Sequence, residues 1–454
     1  MSIDTHPADH RDDVIVSATP TTGPLARIIA GSLAAGVVSA LVLTLVVFPG
    51  GTESVLTGSI LLSFGFGWGL IAALTARHTS RPQRWAAVPA AAMGATGLAL
   101  LAFGPENAAM TRLSWVWPPV VVALAIWMFV QMRRSLTGPG RWLLTPVVAV
   151  LAFSAVGATY ENITLVGDQD TYTAPGKSYD VGGHRLHLDC HGHGGPTVVL
   201  ANGLGEISAS WARITAQVGG TTRVCAYDRA GQGWSDDAGK PQDGVTAARE
   251  LHTLLAFAGE HGPYVLVGHS IGGTYALTYA SQYPEQVAGL VLLDSSSPEQ
   301  FTSIPSYPGQ YAVMRRGLGL LPTLARLGLG RLVPAPNLPA PAADQVRALT
   351  ATAHSARTSR DELSMLPEVF DQAQALTTFG DRPLAVVTAS ETVGTGGWTA
   401  AQDKLAALSA NHQQRTVHST HAGLLEDPEG STASVRAITA VVSSVRTGSH
   451  LDPR

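Results

Sequence analysis

The chain has 454 residues, more than the roughly 100–200 residues of a typical domain, so more than one structural region is expected. Its charged fraction is 14%, its hydrophobic fraction is 45% and its mean hydropathy is +0.17, values that indicate membrane-spanning segments. The formal net charge of −4 offers no basic surface for nucleic acid, and two cysteines are too few for a disulfide-rich scaffold or a four-ligand zinc site.

Five apolar stretches occupy the first third of the chain, at residues 25–48, 55–76, 85–103, 115–130 and 142–158. Each approaches the roughly 20 residues that a helix needs to cross a bilayer. Residues 25–160 therefore predict an all-α transmembrane bundle of about five helices. Asp, Glu, Lys and His do not occur within these five stretches. Because ion and proton pathways usually need ionisable groups at depth, the bundle is predicted to be an anchor rather than a transporter.

Arginine placement predicts the orientation of the bundle, because positive residues are retained on the cytoplasmic side. The second and fourth connections carry several arginines, whereas the first has neither Lys nor Arg. Residues 1–24 lack the positive region of a cleavable signal peptide and are predicted to be a cytoplasmic tail. Because the number of spans is odd, the chain after them is predicted to lie outside the cell membrane. This part begins with a linker at 161–176.

From about Tyr179 onward, short β-branched runs alternate with amphipathic stretches, which is typical of a sheet with helices on both faces. Strands are expected at 185–190, 197–201, 224–227, 264–267, 290–293, 384–388 and 415–418. Helices are expected at 245–259, 274–282, 400–408 and 433–444. Short, continuously apolar strands favour a mostly parallel sheet buried on both faces.

A G-x-S-x-G motif at residues 268–272 lies between an expected strand and an expected helix. A sharp turn in that context projects the hydroxyl of Ser270 as a nucleophile. The backbone N–H of Ile271, at the helix N-terminus, would face a developing oxyanion. The glycine-rich turn after the strand at 197–201 can direct the N–H of Leu204 to the same point.

These motifs resemble those of the α/β-hydrolase superfamily, in particular the branch of proline iminopeptidases, esterases and cofactor-free haloperoxidases. The segment YDRAGQGWSD at residues 227–236 is similar to the D-R-x-G-x-G-x-S loop of that family, which implies a structural role for Asp228 and Arg229. The resemblance covers about residues 177–446, leaves the membrane region outside it, and implies the α/β-hydrolase fold with a helical cap, here at 297–382. Residues 447–454 are expected to be a short tail.

The same resemblance implies the chain order serine, acid, histidine. His421, in a loop between the last strand and a helix, is the expected general base, since His412 and His418 are less well placed. The acid departs from the usual pattern, because no aspartate follows the strand at 384–388. Asp294, at the end of the preceding strand, is favoured modestly, and Glu391 remains the alternative acid.

Cys190 and Cys225 fall on strands that pair in the family fold. A disulfide between them and two buried thiols are equally compatible with the sequence. An apolar cap suggests an apolar substrate. Its leucines are equally compatible with packing of the cap on the core, and a cap that touches the outer membrane surface is the third alternative.

The predicted activity is hydrolysis of a small ester or amide through an acyl-enzyme intermediate, with no metal or organic cofactor. A carboxylic ester is favoured over an amide. The alternatives are an aminopeptidase of the proline iminopeptidase type and a non-catalytic membrane receptor or scaffold. The bilayer is the other expected partner, and nucleic acid is not expected.

Overall fold

The computed structural model describes residues 24–452 and begins with a group of long helices. The predicted tail at 1–24 thus lies outside the described residues, except for its last residue. The helices are α1 Pro24–Val42, α2 Glu53–His78, α3 Ala87–Phe103, α4 Asn107–Ser135 and α5 Pro139–Thr171. A π-helical turn extends α1 at its end, and a 3-10 turn extends α3 at its start. With these extensions, all five helices are long and apolar enough to cross a membrane.

Helix α5 continues to Thr171, so most of the predicted linker at 161–176 is helical. This polar extension has partners in the C-terminal domain. Arg331 donates to the carboxylates of Glu161 and Asp168 at 2.7 and 2.6 Å. Contacts distant in sequence therefore stabilise a helix where hydropathy alone indicates an end.

An eight-stranded sheet forms the centre of the C-terminal domain, in the order β1-β2-β4-β3-β5-β6-β7-β8. The strands are β1 Lys177–Asp180, β2 Arg185–His191, β3 Val198–Ala201, β4 Val224–Tyr227, β5 Tyr264–His269, β6 Val287–Leu293, β7 Leu384–Ala389 and β8 His412–Val417. The β1–β2 and β2–β4 pairs are antiparallel, and the remaining pairs are parallel. The short polar strand β1 was not predicted.

Helices cover both faces of this sheet. They are α6 Ala212–Val218, α7 Gly244–Phe257, α8 Gly272–Gln282, α13 Trp398–Ala406, α14 Gly423–Glu426 and α15 Pro428–Thr447. Strand β5 has alternate residues in two cores: Leu266 packs with α7 and α8 on one face, and Val267 packs with α6 and α15 on the other. Burial on both faces explains its continuous apolar sequence.

A group of helices lies between β6 and β7, within the predicted cap insertion at 297–382. These helices are α9 Gln300–Ser303, α10 Tyr307–Arg326, α11 Ala342–Thr350 and α12 Ala353–Ala373. Helices α9, α10 and α12 place apolar side chains over the carboxyl ends of the central strands, where the candidate site lies.

Candidate active site

Ser270 occupies the sharp turn between β5 and α8 with a backbone φ of +54°. The turn is tight: a Cβ on Gly272 would lie 2.1 Å from the carbonyl oxygen of Ala201, and one on Gly268 would lie 2.4 Å from Cα of Gly273. Only glycine fits at these two positions. The local sequence therefore explains how the chain holds a serine in this conformation.

Asp294 has the corresponding position on the neighbouring strand. His269 pairs with Leu293 in the β5–β6 register, so Ser270 and Asp294 each come directly after a paired residue. Asp294 has a φ of +42°, and within residues 24–452 it and Ser270 are the only non-glycine residues with positive φ. Strained backbone of this kind is concentrated at functional sites.

The His421 side chain reaches Asp294 from the loop between β8 and α14. Its Nδ1 lies 2.6 Å from Oδ2 of Asp294. Because a carboxylate only accepts, Nδ1 carries the proton and Nε2 points away from the acid. Asp294 is fully buried, and its Oδ1 accepts from the Ala389 N–H, the Thr392 hydroxyl and the Trp398 indole. These bonds hold the carboxylate in place.

Glu391, the alternative acid, also contacts His421 but at a different atom. Its Oε2 accepts the backbone N–H of His421 at 2.7 Å. The contact fixes the loop rather than the imidazole. Asp294 therefore contacts the imidazole ring of His421, and Glu391 contacts only the His421 main chain.

Ser270 and His421 are near each other without a direct bond. The His421 ring lies 4.5 Å, centroid to centroid, from the ring of His269, the residue before Ser270. In the described part of the chain, no hydrogen bond joins the Ser270 hydroxyl to His421. Such bonds are often long in unliganded enzymes and shorten when substrate binds.

The two predicted oxyanion donors are close to this turn. Ile271 is buried, and Leu204 packs against the same apolar cluster. Neither backbone N–H donates to a protein acceptor within residues 24–452. Two unsatisfied donors beside a nucleophile are what an oxyanion hole requires.

A partly buried ion pair lies behind His421 and was not predicted from the sequence. Nδ1 of His269 lies 2.5 Å from Oε1 of Glu206, and its Nε2 lies 3.0 Å from the carbonyl oxygen of His421. Glu206 also accepts the N–H of Gly203 at 2.5 Å. Since both partners of His269 are acceptors, its ring donates twice as an imidazolium. The pair connects the Leu204 loop, the serine turn and the His421 loop.

The pKa values of this pair move in opposite directions. Burial lowers the pKa of His269, but the charge and hydrogen bond of Glu206 outweigh burial and raise it above its ordinary value. Burial raises the pKa of Glu206, but the charge and hydrogen bond of His269 outweigh burial and lower it. Both shifts favour the charged pair.

Asp228 and Arg229 make structural contacts, as the resemblance implied. Asp228 Oδ2 lies 2.8 Å from Nδ1 of the buried His187. Arg229 donates to the carbonyl oxygen of Asn202 at 2.7 Å and to Glu362 of the cap at 2.9 Å. Arg229 thus supports the loop that carries Leu204. Glu362, on α12, carried no sequence signal.

Cys190 and Cys225 form a disulfide between β2 and β4, where the register pairs them directly. Of the two alternatives left open by the sequence, the structure has the disulfide.

A serine at a strained strand-to-helix turn, on a mostly parallel sheet and followed along the chain by Asp294 and His421, is the arrangement of the α/β hydrolases. A family described as alpha/beta hydrolase fold matches residues 196–387. The C-terminal domain therefore has the α/β-hydrolase fold, and the predicted fold class is confirmed.

Curated relatives match part of the chain. An uncharacterised protein of Schizosaccharomyces pombe is 30% identical over 191 residues, which are 35% of this chain and 35% of that protein. A Cronobacter sakazakii protein, RutD, whose name describes a carbamate hydrolase, is 34% identical over 104 residues, which are 22% of this chain and 38% of that protein. The matches thus span well under two thirds of these relatives.

Solved structures also resemble the chain. The enol-lactonase from Burkholderia xenovorans LB400 has a TM-score of 0.45 and 18% identity, and the alignment covers 59% of this chain and 100% of that one.

Proposed function

We propose that the protein is a membrane-anchored serine hydrolase that cleaves a carboxylic ester through an acyl-enzyme at Ser270. The observation that carries the proposal is the 2.6 Å contact of His421 with Asp294 beside the strained serine. With Nδ1 held by the acid, Nε2 of His421 is left as the base.

The reaction follows from these positions. The Ser270 hydroxyl attacks the carbonyl carbon while His421 accepts its proton, and the N–H groups of Leu204 and Ile271 stabilise the oxyanion. Collapse breaks the bond to the leaving group, which takes the proton from His421. Water, deprotonated by His421, then attacks the acyl-enzyme, and the acid is released as Ser270 regains its proton. Asp294 stabilises the imidazolium without taking its proton.

The environment supports an ester of apolar character. Tyr275, Leu363 and Phe370 surround the oxyanion donors with buried apolar surface.

An aminopeptidase would need a carboxylate free to bind the substrate amine. Glu206 and Glu362, which lie beside the serine and oxyanion loops, are instead paired with His269 and Arg229. The name of one curated relative, a carbamate hydrolase, is compatible with acyl transfer.

The outward surface of the helical region supports membrane anchoring. Phe103 is 84% exposed, Phe153 74% and Val46 70%. Exposed apolar side chains on this scale favour contact with lipid over water. The arginine distribution supports a cytoplasmic N-terminus, and the Cys190–Cys225 disulfide supports a hydrolase domain in an oxidising compartment.

The decisive experiment is labelling of intact cells with a membrane-impermeant fluorophosphonate. Wild type and Ser443→Ala, which removes an exposed hydroxyl on α15, should label equally, and Ser270→Ala should not label. Labelling of Ser270→Ala would refute the nucleophile. If wild type labelled only after lysis, the proposed orientation would be wrong. Loss of label in Ser270→Ala together with ester turnover by wild type would exclude the receptor or scaffold alternative.

A further inference from the structure

Cap helix α10 has two faces with different partners. On one face, Tyr307, Tyr311, Met314 and Leu318 recur at helical spacing and join the apolar cluster that contains the oxyanion residue Ile271. This face of α10 therefore forms one wall of the candidate site.

The other face of α10 rests on the membrane helices. Arg316 donates to the carbonyl oxygen of Leu45 at 2.9 Å, and the hydroxyls of Thr323 and Thr57 lie 2.8 Å apart. The backbones are also close, because a Cβ on Gly319 would lie 3.0 Å from Cα of Gly50. The spacing of 316, 319 and 323 places these contacts along one stripe of the helix.

Buried charges strengthen this contact. Arg326, at the end of α10, pairs with Glu53, whose side chain is 3% exposed. Arg331 pairs with Glu161, whose side chain is 2% exposed. Removing one partner of a buried pair leaves an uncompensated charge and is strongly unfavourable. Both acids lie on the side of the bundle opposite the arginine-rich connections: Glu53 begins α2, and Glu161 lies in the last third of α5.

We propose that Arg326 and Arg331, with Glu53 and Glu161, are positioning residues that hold the site wall of α10 against the membrane bundle and so set the fit of the acyl chain. The inference rests on the proposed esterase function. The bundle in this view is part of the substrate-binding structure as well as an anchor. Substrates with long apolar acyl chains depend on the α10 wall, whereas an acetyl group contacts little beyond Ser270 and the oxyanion donors.

The test uses the full-length protein and two p-nitrophenyl esters, the acetate and the octanoate. Arg326→Gln and Arg331→Gln should each raise KM for the octanoate by roughly tenfold, since a wall displaced by about 1 Å loses much of its complementarity. The kcat for the acetate should stay within about twofold. Arg347→Gln, which breaks an exposed ion pair on α11, is the matched control and should change neither ester.

The outcomes separate this inference from the proposed function. Equal losses for both esters, or no change for either, would overturn the positioning role. Absence of Ser270-dependent turnover or labelling in wild type would instead refute the proposed function itself.

A covalent lock provides a second measurement in which no ion pair is removed. Thr57→Cys combined with Thr323→Cys places two thiols where the hydroxyls now meet. Relative to wild type treated in the same way, turnover of the octanoate by this variant should be the same after oxidation as after reduction, because α10 works while attached to the bundle. Loss of turnover on oxidation, restored by reduction, would mean that the cap has to leave the bundle and would overturn the inference.

Discussion

Ser270 and Asp294 follow adjacent parallel strands at corresponding register positions, and both have left-handed backbone conformations, with φ of +54° and +42°. The N–H of Ser270 donates to the carbonyl oxygen of Leu293, the residue immediately before Asp294, at 3.2 Å. Ser270 and Asp294 are thus fixed relative to one another by the sheet. The remaining freedom belongs to His421, which comes from a loop.

Replacing Asp294 with Asn should lower kcat for ester hydrolysis by about 10³- to 10⁴-fold with the fold retained, because an amide neither fixes the Nδ1–H tautomer nor stabilises the imidazolium. Initial rates at saturating ester check the value. Glu391→Gln is the matched control and should cost at most about tenfold, since Glu391 contacts only the His421 main chain. A larger loss for Glu391→Gln than for Asp294→Asn would reverse the assignment of the acid.

Glycine at 272 should be indispensable for folding of the serine turn. A Cβ there would lie 2.1 Å from a backbone oxygen that the sheet holds in place. Gly272→Ala should therefore destabilise the domain by about 3 kcal/mol or more, measured by thermal unfolding in detergent. Gly317→Ala, where nothing lies within 4 Å, should be neutral or stabilising by about 0.5–1 kcal/mol. Equal stability of the two variants would contradict the close approach at the turn.

The Glu206–His269 pair should contribute stability within a defined pH window. The raised pKa of His269 means that its contribution is complete below the ordinary value of 6.5 and is lost as pH rises through the folded value. The lowered pKa of Glu206 means that its contribution is complete above 4.5 and is lost as pH falls through the folded value. The pair should therefore stabilise most between pH 4.5 and 6.5.

Glu206→Gln tests this window. Removing one partner should cost about 2–3 kcal/mol inside it, and the difference in melting temperature from wild type should shrink toward lower and higher pH. The melting temperatures of wild type and Glu206→Gln are measured from about pH 3 to 9, the range over which carboxylates and histidines titrate. A difference that is constant across that range would mean that the pair is not charged in the folded protein.

The local sequence was enough to predict the serine turn, because the apolar strand, the glycines and the following helix are contiguous in the chain. The choice between Asp294 and Glu391 could not be made in this way. Both follow strands at the same edge of the sheet, and only the path of the loop before His421 decides which carboxylate reaches the ring and which reaches the main chain.

Other features depend on partners far apart in the chain. Glu206 and His269 are 63 residues apart, Glu206 belongs to no motif, and the G-x-S-x-G motif leaves position 269 unspecified. The extension of α5 depends on Arg331, which is 170 residues from Glu161. Neither hydropathy nor periodicity contains information about such pairs, since each side chain alone looks like an ordinary surface charge.

The disulfide should be a major contribution to the stability of the hydrolase domain. Cys190 and Cys225 are 35 residues apart, and closing a loop of that length in the unfolded chain corresponds to about 3–4 kcal/mol at 25 °C. Reduction should lower the melting temperature of wild type by roughly 10 °C, given the size of the domain. The double variant Cys190→Ser with Cys225→Ser should melt near the reduced wild type and should not respond to reductant.

If the bond is present in protein taken directly from cells, alkylation before denaturation should leave both cysteines unmodified. Recovery of both as alkylated thiols after denaturation without reductant would count against an oxidising location for this domain, because a disulfide that closes β2 onto β4 would persist there.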